Sequence, residues 1–520
     1  MRFHLLIVSL VALASMTAAL SAADADPEDY AFTEGDISYY LSVDGYLSVI
    51  DVADWSITEL VIPGHVEHNG VTYTVTSIYM MSEGSPNLKR LYIPETVMHV
   101  QYIAGYDLEW IEVSPDSEYF VSIDGVLFDR MVSTLVRYPP SLGTSYTVPT
   151  TVTKLGYLSF GDSNLKQITL SDSIVSIGDS AFYGCRDLKL ILNEKGERVL
   201  PRNLLSIGDA AFCFCTSLTE LELNDDLRLI GWNAFSYSGI RSINIPYDVR
   251  HINHGAFSYC YDLAGITSSN DNYLVKDGVL FEKRNETYSL FCYPAGMQRE
   301  TYTLFDGVDS ICDLAFAGCK NLKEIRLPSS LIIVPAFAFS SCESLERIDL
   351  TNVHIINSCA FESCVNLKDV TLGNELYVID TLAFARTGLE TFTVPTSVVS
   401  VSDMVLAYCE DLRSVTFPET CEAEALSLLF YKCYNLESVT IESSDVTLTI
   451  DSLSVGEEGH EMTIEVKVPK GYSIPEDATD GYTELVVSVI GEKPYPYENI
   501  LGVIACILIL IGILRFVREV

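Results

Sequence analysis

The chain has 520 residues, and its 71 Asp and Glu against 32 Lys and Arg give a formal net charge of −39. A surface this acidic repels phosphate backbones, so the composition argues against nucleic acid as a partner. The residues are 48% hydrophobic and 11% aromatic, which excludes disorder over most of the chain.

The N-terminal segment is typical of a secretory signal peptide. Arg2 precedes an apolar run from Leu5 to Leu20, and the small residues that follow fit an A-x-A cleavage site at 23–25. The apolar run is short for a membrane span, which favours a cleaved signal peptide over residues 1–25 rather than an N-terminal anchor. Alternating apolar residues then predict a β-rich N-terminal cap over residues 26–75.

One phrase recurs through the middle of the chain. It has the form I-G-x-x-A-F-x-x-C-x-x-L-x-x-I-x-L-P, as in ICDLAFAGCKNLKEIRLP from Ile311, and most copies lie 22–24 residues apart. The segment L-x-x-I-x-L is the strand core of leucine-rich repeats, and the spacing lies in the range of that class. The anchor positions, where the Phe of the phrase aligns, are Phe160, Phe182, Phe212, Phe235, Phe257, Phe316, Phe339, Phe361, Phe384, Leu406 and Phe430.

Together with two weaker copies before Phe160, these repeats predict an α/β-type leucine-rich-repeat solenoid over residues 76–443. The solenoid is expected to be strand-rich, with about 13 coils of 22–24 residues. In one coil Leu322, Ile325 and Leu327 should point inward, while Glu324 and Arg326 alternate outward. The anchor rings should stack into a spine that no single coil could bury.

The phrase resembles the coil of the BspA-like leucine-rich-repeat family of microbial cell-surface proteins, over roughly residues 75–443. The resemblance implies adhesion as the function. Two islands near 119–143 and 272–297 each carry Asp-Gly between alternating apolar residues, which is a strong β-hairpin signal. Hairpins of this kind interrupt the coils of proteins similar to this one.

Cysteine is the most conspicuous residue of the phrase. Eight of the 14 Cys lie three residues after an anchor, and Ser or Thr fills the same position in other coils. The exchange with Ser and Thr favours buried free thiols selected for size. Disulfides remain an alternative because the predicted compartment is oxidising. Zinc is disfavoured because one thiol per coil does not provide convergent ligands.

Other sequence features indicate neither an active site nor a cofactor site. His251 and His254 form a close His pair, and an exposed surface explains them better than a metal site. No Ser/His/Asp or Cys/His arrangement stands out, so we predict no enzyme activity, catalytic residue, cofactor or metal. Asn285, in the sequence Asn-Glu-Thr, is the only N-glycosylation sequon and is a possible modification site.

The C-terminal part of the chain predicts a stalk and an anchor. Residues 444–494 contain short alternating segments and are expected to form a β-rich stalk or C-terminal cap. Residues 497–517 are long and apolar enough for one transmembrane helix, and Arg515 and Arg518 place its end in the cytoplasm. The predicted protein crosses the cell membrane once, with its N-terminal ectodomain outside and residues 518–520 as a cytoplasmic tail.

The strand face is the remaining candidate for function. Outward positions mix charges of both signs in the central coils, as a protein-binding surface does, although Thr at such positions also reflects strand propensity. The candidate ligand-binding residues are Glu220, Glu222, Glu324, Arg326, Arg347, Asp349 and Asp369.

We therefore expect a non-enzymatic, membrane-anchored protein that mediates adhesion or protein–protein recognition. Its partner would be a protein or glycan on a host, a matrix or a neighbouring cell. The alternative is a structural component of the cell envelope that associates with its own copies.

Overall fold

The computed structural model describes residues 31–490, except 55, 80–86, 104, 420–423, 426–427, 445, 449–452, 456–461, 476–478 and 480–482. The predicted signal peptide (1–25), transmembrane helix (497–517) and cytoplasmic tail (518–520) lie outside these residues. The described residues form strands and no helix, so none of their elements is a helix able to cross a membrane.

The strands before residue 240 are mostly short. They are β1 (Ala31–Glu34), β2 (Ile37–Leu41), β3 (Tyr46–Val52), β4 (Glu59–Val61), β5 (His65–His68), β6 (Val71–Tyr79), β7 (Arg90–Ile93), β8 (His99–Tyr102), β9 (Trp110–Val113), β10 (Phe120–Ile123), β11 (Val126–Asp129), β12 (Thr134–Arg137), β13 (Ser145–Thr147), β14 (Lys154–Leu155), β15 (Gln167–Thr169), β16 (Ser176–Ile177), β17 (Leu190–Leu192), β18 (Ser206–Ile207) and β19 (Leu229–Ile230).

The later strands follow the same pattern until the last two, which are longer. They are β20 (Ser242–Ile245), β21 (His251–Ile252), β22 (Gly265–Ser268), β23 (Tyr273–Lys276), β24 (Val279–Arg284), β25 (Thr287–Cys292), β26 (Thr301–Thr303), β27 (Val308–Ile311), β28 (Glu324–Arg326), β29 (Ile333–Val334), β30 (Arg347–Leu350), β31 (Ile355–Ile356), β32 (Asp369–Leu372), β33 (Val378–Ile379), β34 (Thr391–Thr393), β35 (Ser400–Val401), β36 (Ser414–Phe417), β37 (Glu424–Ala425), β38 (Ser438–Ile441), β39 (Thr447–Leu448), β40 (Met462–Val468) and β41 (Thr483–Val489).

The described chain divides into two compact units. The first contains the residues up to Ile240 together with Pro246–Ala256, and the second contains Arg241–Ile245 together with the residues from Phe257. The first unit begins with a sheet of order β1-β2-β3-β6-β5, in which β8 also pairs with β6. The pairs β1–β2 and β2–β3 are antiparallel, whereas β3–β6 is parallel.

A coil of the solenoid has three sides, as the coil that begins with β28 illustrates. The L-x-x-I-x-L segment forms the front strand, here β28, and a turn leads to a two-residue second strand, here β29. Front strands pair in parallel with front strands of adjacent coils, as in β26-β28-β30-β32, and second strands pair likewise in β29-β31-β33-β35-β37-β39. The Ala-Phe segment forms the third side. Leu322 and Ile325 are buried as predicted, and Leu327 is half-buried.

The prediction of an α/β-type solenoid is wrong in one respect, because the Ala-Phe segments are tight turns and not helices. The residue two before the anchor and the residue two after it both take positive φ, as Phe337 (56°) and Ser341 (57°) do around Phe339. A left-handed residue on each side of Ala-Phe prevents helix propagation. The freed N–H groups bond to the next coil instead: Phe339 N donates to Ala360 O at 2.8 Å.

The predicted spine of anchor rings is confirmed in both units. In the first unit Phe160, Phe182, Phe212 and Phe235 stack with centroid separations of 4.9, 5.1 and 5.3 Å. In the second unit the rings of Tyr293, Phe316, Phe339, Phe361 and Phe384 stack at 4.9–5.2 Å. The anchor rings are buried. Truncating such a ring to Ala typically costs about 3–5 kcal/mol of folding free energy.

The number of coils was underestimated, since the fold makes about 16 turns rather than about 13. Some turns have a front strand but no Ala-Phe anchor, and the repeat phrase cannot detect them. β13 pairs in parallel with β15, and β26 with β28, directly after the two hairpin islands. At the C-terminal end β40 and β41 extend the sheet of β34, β36 and β38, within the segment predicted as a stalk or cap.

The two islands fold as the Asp-Gly dipeptides predict. β10 and β11 form an antiparallel hairpin closed by Asp124-Gly125, and β23 and β24 form a second one closed by Asp277-Gly278. All four turn residues have positive φ, as a type I′ turn requires. The Trp110 ring also lies so close to Gly125 that a Cβ there would meet it at 2.6 Å.

The recurring cysteine satisfies a backbone carbonyl of the preceding coil. Cys342 Sγ donates to Phe316 O at 3.1 Å, and Cys364 Sγ donates to Phe339 O at the same distance. The carbonyl of Phe316 also accepts the N–H of Cys319, so the thiol occupies its second lone pair. All twelve cysteines among the described residues are buried free thiols, as the exchange with Ser and Thr favours.

Removing the strain of one left-handed residue should stabilise the solenoid. Ala210 has φ 51°, and the next residue, Ala211, is fully buried beneath the turn. We expect Ala210→Gly to raise the free energy of unfolding by up to about 1 kcal/mol, because Gly adopts positive φ without strain. Ala211→Gly, the matched control, should lower it by about 1 kcal/mol or more through loss of a buried methyl. Urea denaturation measures both; equal effects would contradict the assignment of strain.

The buried thiols should resist modification while the protein is folded. Burial raises the pKa of the Cys359 thiol to about 12 and also raises the pKa of Cys292, so neither forms the reactive thiolate at pH 8. Thiol titration at pH 8 without reductant should detect at most the two cysteines outside the described residues, Cys421 and Cys506. Denaturant should then release twelve more. A smaller increase would show that disulfides form among the twelve.

Candidate binding surface

The front sheet of the second unit, β26-β28-β30-β32, brings most of the candidate residues together. Its parallel register aligns Ile325 with Ile348, and both side chains point into the core. The positions between them point outward in two columns. One column contains Thr301, Glu324, Arg347 and Asp369, and the other contains Thr303, Arg326, Asp349 and Thr371.

Glu324 orients two arginines on this sheet. Its Oε1 lies 3.0 Å from Arg326 Nε and its Oε2 lies 3.6 Å from Arg347 Nε. The Glu324 side chain is 24% exposed, whereas Arg326 and Arg347 are 73% and 59% exposed. Arg326 Nε donates a hydrogen bond to Glu324 Oε1, whereas Arg347 meets Glu324 only as an ion pair, so Glu324 leaves most N–H groups of both guanidiniums unused. One carboxylate therefore holds two accessible cations side by side.

The other two candidates on this sheet differ in their partners. Asp349 Oδ1 accepts hydrogen bonds from the Thr351 hydroxyl at 2.5 Å and the Thr351 backbone N–H at 3.0 Å. These bonds hold the pKa of the Asp349 carboxyl below its usual value. Asp349 thus serves its own loop, while Asp369 is exposed beside Arg347 in the strand register.

Glu220 and Glu222 belong to the first unit and do not share the front sheet with the other five. Glu220 forms an exposed ion pair with Arg198. Glu222 is exposed, and its backbone forms a parallel bridge with Val199. These two carboxylates lie near the segment 193–203, which lengthens the step between the anchors Phe182 and Phe212 to 30 residues.

A column of alternating charge beside the front strands was missed by the sequence analysis. The residue immediately before each strand forms it, and this charged column contains Glu300, Lys323, Glu346, Lys368, Glu390, Arg413 and Glu437. Ion pairs link neighbours, with Lys323 at 3.1 Å from Glu300, Lys368 at 3.4 Å from Glu390 and Arg413 at 2.9 Å from Glu437. The alternation of sign is present in the sequence, but it becomes a column only when the parallel register places these positions side by side.

A second missed surface is apolar. The residues before and within the second strands of the same coils expose Ile332, Ile333, Tyr377 and Val399. Backbone bonds align them coil by coil: His354 N donates to Ile332 O, and Tyr377 N to His354 O. The sequence does not show which residue of such a two-residue strand is buried, because two adjacent apolar residues, such as Ile333 and Val334, fit the buried position equally well.

The remaining polar candidates are dispersed. Asn285 is exposed in the turn between β24 and β25 with φ 39°, and its glycosylation stays a prediction. His251 is exposed, and the His254 ring packs edge-on against Trp232 at 5.2 Å. Within the part of the chain that the structure describes, no group of three or more His, Cys, Asp or Glu could hold a metal ion.

The sequence of the repeats matches the model of a known family. The model of the BspA-type leucine-rich-repeat region, six copies long, matches residues 141–260, 196–290, 288–413 and 351–454. These matches together cover more than half of the chain. The chain belongs to the BspA-type leucine-rich-repeat family. The predicted resemblance is therefore confirmed.

Several solved structures of leucine-rich-repeat proteins are similar to this BspA-type chain. A leucine-rich cell-surface protein from Faecalibacterium prausnitzii is 22% identical, with 81% of this chain and 96% of that one covered and a TM-score of 0.45. The pneumococcal vaccine antigen PcpA is 18% identical, with 88% and 98% covered and a TM-score of 0.39. A repeat protein from Eubacterium ventriosum is 18% identical, with 89% and 96% covered and a TM-score of 0.38. No curated protein matches the sequence.

The Glu324 pairing should orient the arginines without contributing much stability. Exposed ion pairs contribute about 0–1 kcal/mol, so Glu324→Gln should lower the free energy of unfolding by less than about 1 kcal/mol. A double-mutant cycle of Glu324→Gln with Arg347→Gln should give a coupling energy that shrinks as salt rises. A coupling energy above about 2 kcal/mol, or one that does not change with salt, would show that these ion pairs contribute substantially to folding stability.

Proposed function

We propose that this BspA-type protein is a cell-surface recognition protein whose front sheet binds an acidic group on a protein or glycan. The pair of exposed guanidiniums on Arg326 and Arg347, oriented by Glu324, carries the proposal. Arginine forks match carboxylate and sulfate oxygens geometrically, and a pre-oriented pair loses less side-chain entropy on binding.

The surrounding surface supports a broad contact rather than a pocket. The front strands are fixed by the core beneath them and by the ladder between coils, so their outward side chains form a rigid array. The lysines of the charged column are paired with its glutamates, whereas Arg326 and Arg347 share the single carboxylate of Glu324. Two exposed guanidiniums on a chain of net charge −39 favour a small acidic group over an extended nucleic acid.

Anchoring and location are part of the same proposal and rest on the sequence. A signal peptide over residues 1–25 would direct the chain out of the cell, and a helix over 497–517 would hold it at the membrane. The protein would then present the front sheet to a host surface, a matrix or a neighbouring cell. No catalytic step is assigned to it.

Charge reversal tests the arginine pair. Arg326→Glu and Arg347→Glu should each weaken binding to immobilised sulfated or uronic-acid polysaccharides, and to glycoproteins bearing them, by about tenfold or more. The loss follows because a charge-assisted hydrogen bond is replaced by repulsion. Binding of the wild-type full chain should also fall as salt rises, whereas an uncharged polysaccharide should not bind.

A matched control comes from another sheet. Arg250 is exposed beside the second strand β21 of the first unit, and Arg250→Glu makes the same change in net charge. It should leave binding within about twofold. Unchanged binding in both front-sheet variants would refute this site and direct attention to the hairpin islands or the exposed apolar surface around Tyr377.

A further inference from the structure

The strand β41 is the edge strand of its sheet among the described residues. It pairs in parallel with β40 along its whole length, from Met462↔Thr483 to Val468↔Val489. Among the described residues no strand pairs with its other side. An open edge of seven residues is long for a natural sheet, because unpaired N–H and C=O groups recruit other chains.

The hydrogen-bond pattern identifies which backbone groups face outward. Ile490 N donates to Val468 O at 2.9 Å, so Ile490 directs its polar groups toward β40. Strand residues alternate in this respect, and Leu485, Val487 and Val489 therefore direct their N–H and C=O groups to the open edge.

The side chains show that the core is also open at this end. Leu485, Val487 and Val489 lie in register with Ile464, Val466 and Val468, which are buried. Val487 nevertheless remains 52% exposed, and Val486 on the opposite face is 51% exposed. A repeat fold needs a polar outer face on its end coil to stay soluble as a single chain, and β41, the last strand among the described residues, is mostly apolar.

Devices that normally protect an edge are missing from β41. Its sequence, TELVVSV, contains no Pro and no Lys, and Glu484 is its only charged residue. By contrast β1, at the edge of the first sheet, has only four residues. The composition of β41 therefore favours pairing with another strand.

The adjoining sequence is poorly suited to cover this edge. Residues 456–461 and 476–482, which read GEEGHE and EDATDGY, are acidic, and burying their charges against valines would be costly. In the segment after β41, Pro494 and Pro496 lack the N–H groups that a ladder requires. A second β41 has what these segments lack, namely apolar side chains and a complete row of donors.

We propose that β41 pairs antiparallel with β41 of a second copy of this chain, about a two-fold axis at Val486. Full overlap of the seven residues places Val486 opposite itself and Leu485 opposite Val487 of the second copy. Glu484 then faces Ser488 rather than another carboxylate, so no like charges meet across the axis. A two-fold arrangement closes after two copies and leaves no further edge.

This pairing is independent of the proposed ligand site, since β41 shares no strand with the front sheet. It also has a distinctive salt response. Two chains of charge −39 repel one another, and the paired surface itself is nearly uncharged. Added salt should therefore strengthen the dimer, whereas it should weaken binding of an acidic ligand to the arginines.

Cysteine cross-linking in the full chain, solubilised in mild detergent, tests the register. Val486→Cys should form a disulfide-linked dimer on mild oxidation, because the two Cβ atoms lie about 4.5–5.5 Å apart across the axis. Glu484→Cys alone should not, while a mixture of Glu484→Cys and Ser488→Cys chains should. The wild-type chain, which retains all 14 native cysteines, is the control for background cross-linking.

Proline substitutions separate dimer contacts from folding. Val487→Pro removes an outward N–H, so it should leave thermal stability nearly unchanged while weakening the dimer at least tenfold by analytical ultracentrifugation. Val486→Pro removes a bond to β40 and should destabilise this end of the fold. If Val487→Pro also lowers the thermal stability, Val486→Lys tests the dimer instead. Its two Lys side chains would repel each other across the axis and dissociate the dimer without removing a backbone N–H.

Two results would overturn the proposal. One is a wild-type chain that stays monomeric up to about 100 µM at high salt, where association should be strongest. The other is Val486→Cys cross-linking no better than Glu484→Cys alone. Loss of polysaccharide binding with intact dimers would instead concern only the arginine site.

Discussion

The fold depends on one constraint: a coil of about 22 residues cannot bury its own apolar side chains. Phe339 is fully buried because Phe316 and Phe361 cover its two faces at 4.9 and 5.2 Å. The backbone obeys the same constraint, since its N–H bonds to the carbonyl of Ala360 in the next coil. A coil that carries the repeat phrase must therefore keep its ring and its tight turn in register with those of the adjacent coils.

The parallel register of the strands also restricts which charges the outward side chains can carry. Parallel strands bring outward residues of successive coils into columns, where identical charges would repel one another. The charged column meets this requirement by alternating sign, and Glu324 meets it by lying between Arg326 and Arg347. Recognition is therefore best sought where the columns depart from neutral alternation, because those departures are not needed for folding.

The same constraint makes the two ends of a repeat fold special, since each end coil lacks one neighbour. In the first unit the antiparallel strands β1 and β2 cover β3, and the short β1 limits the remaining edge. At the other end Val487 occupies a core position and is still half exposed. The proposed ligand surface on the front strands and the proposed association edge at β41 would thus arise from one architecture, through different residues.

The sequence by itself determined the repeat, its family and the inward column, because each coil repeats the same apolar positions, and it favoured buried thiols over disulfides. It also located the Asp-Gly hairpins, whose turn needs those residues. Only the tertiary structure decided that the Ala-Phe segments are turns, since residues such as Phe337 favour positive φ only when the next coil accepts their backbone N–H groups. Likewise, Arg326 and Arg347 meet at Glu324 because of strand register, which no single coil encodes.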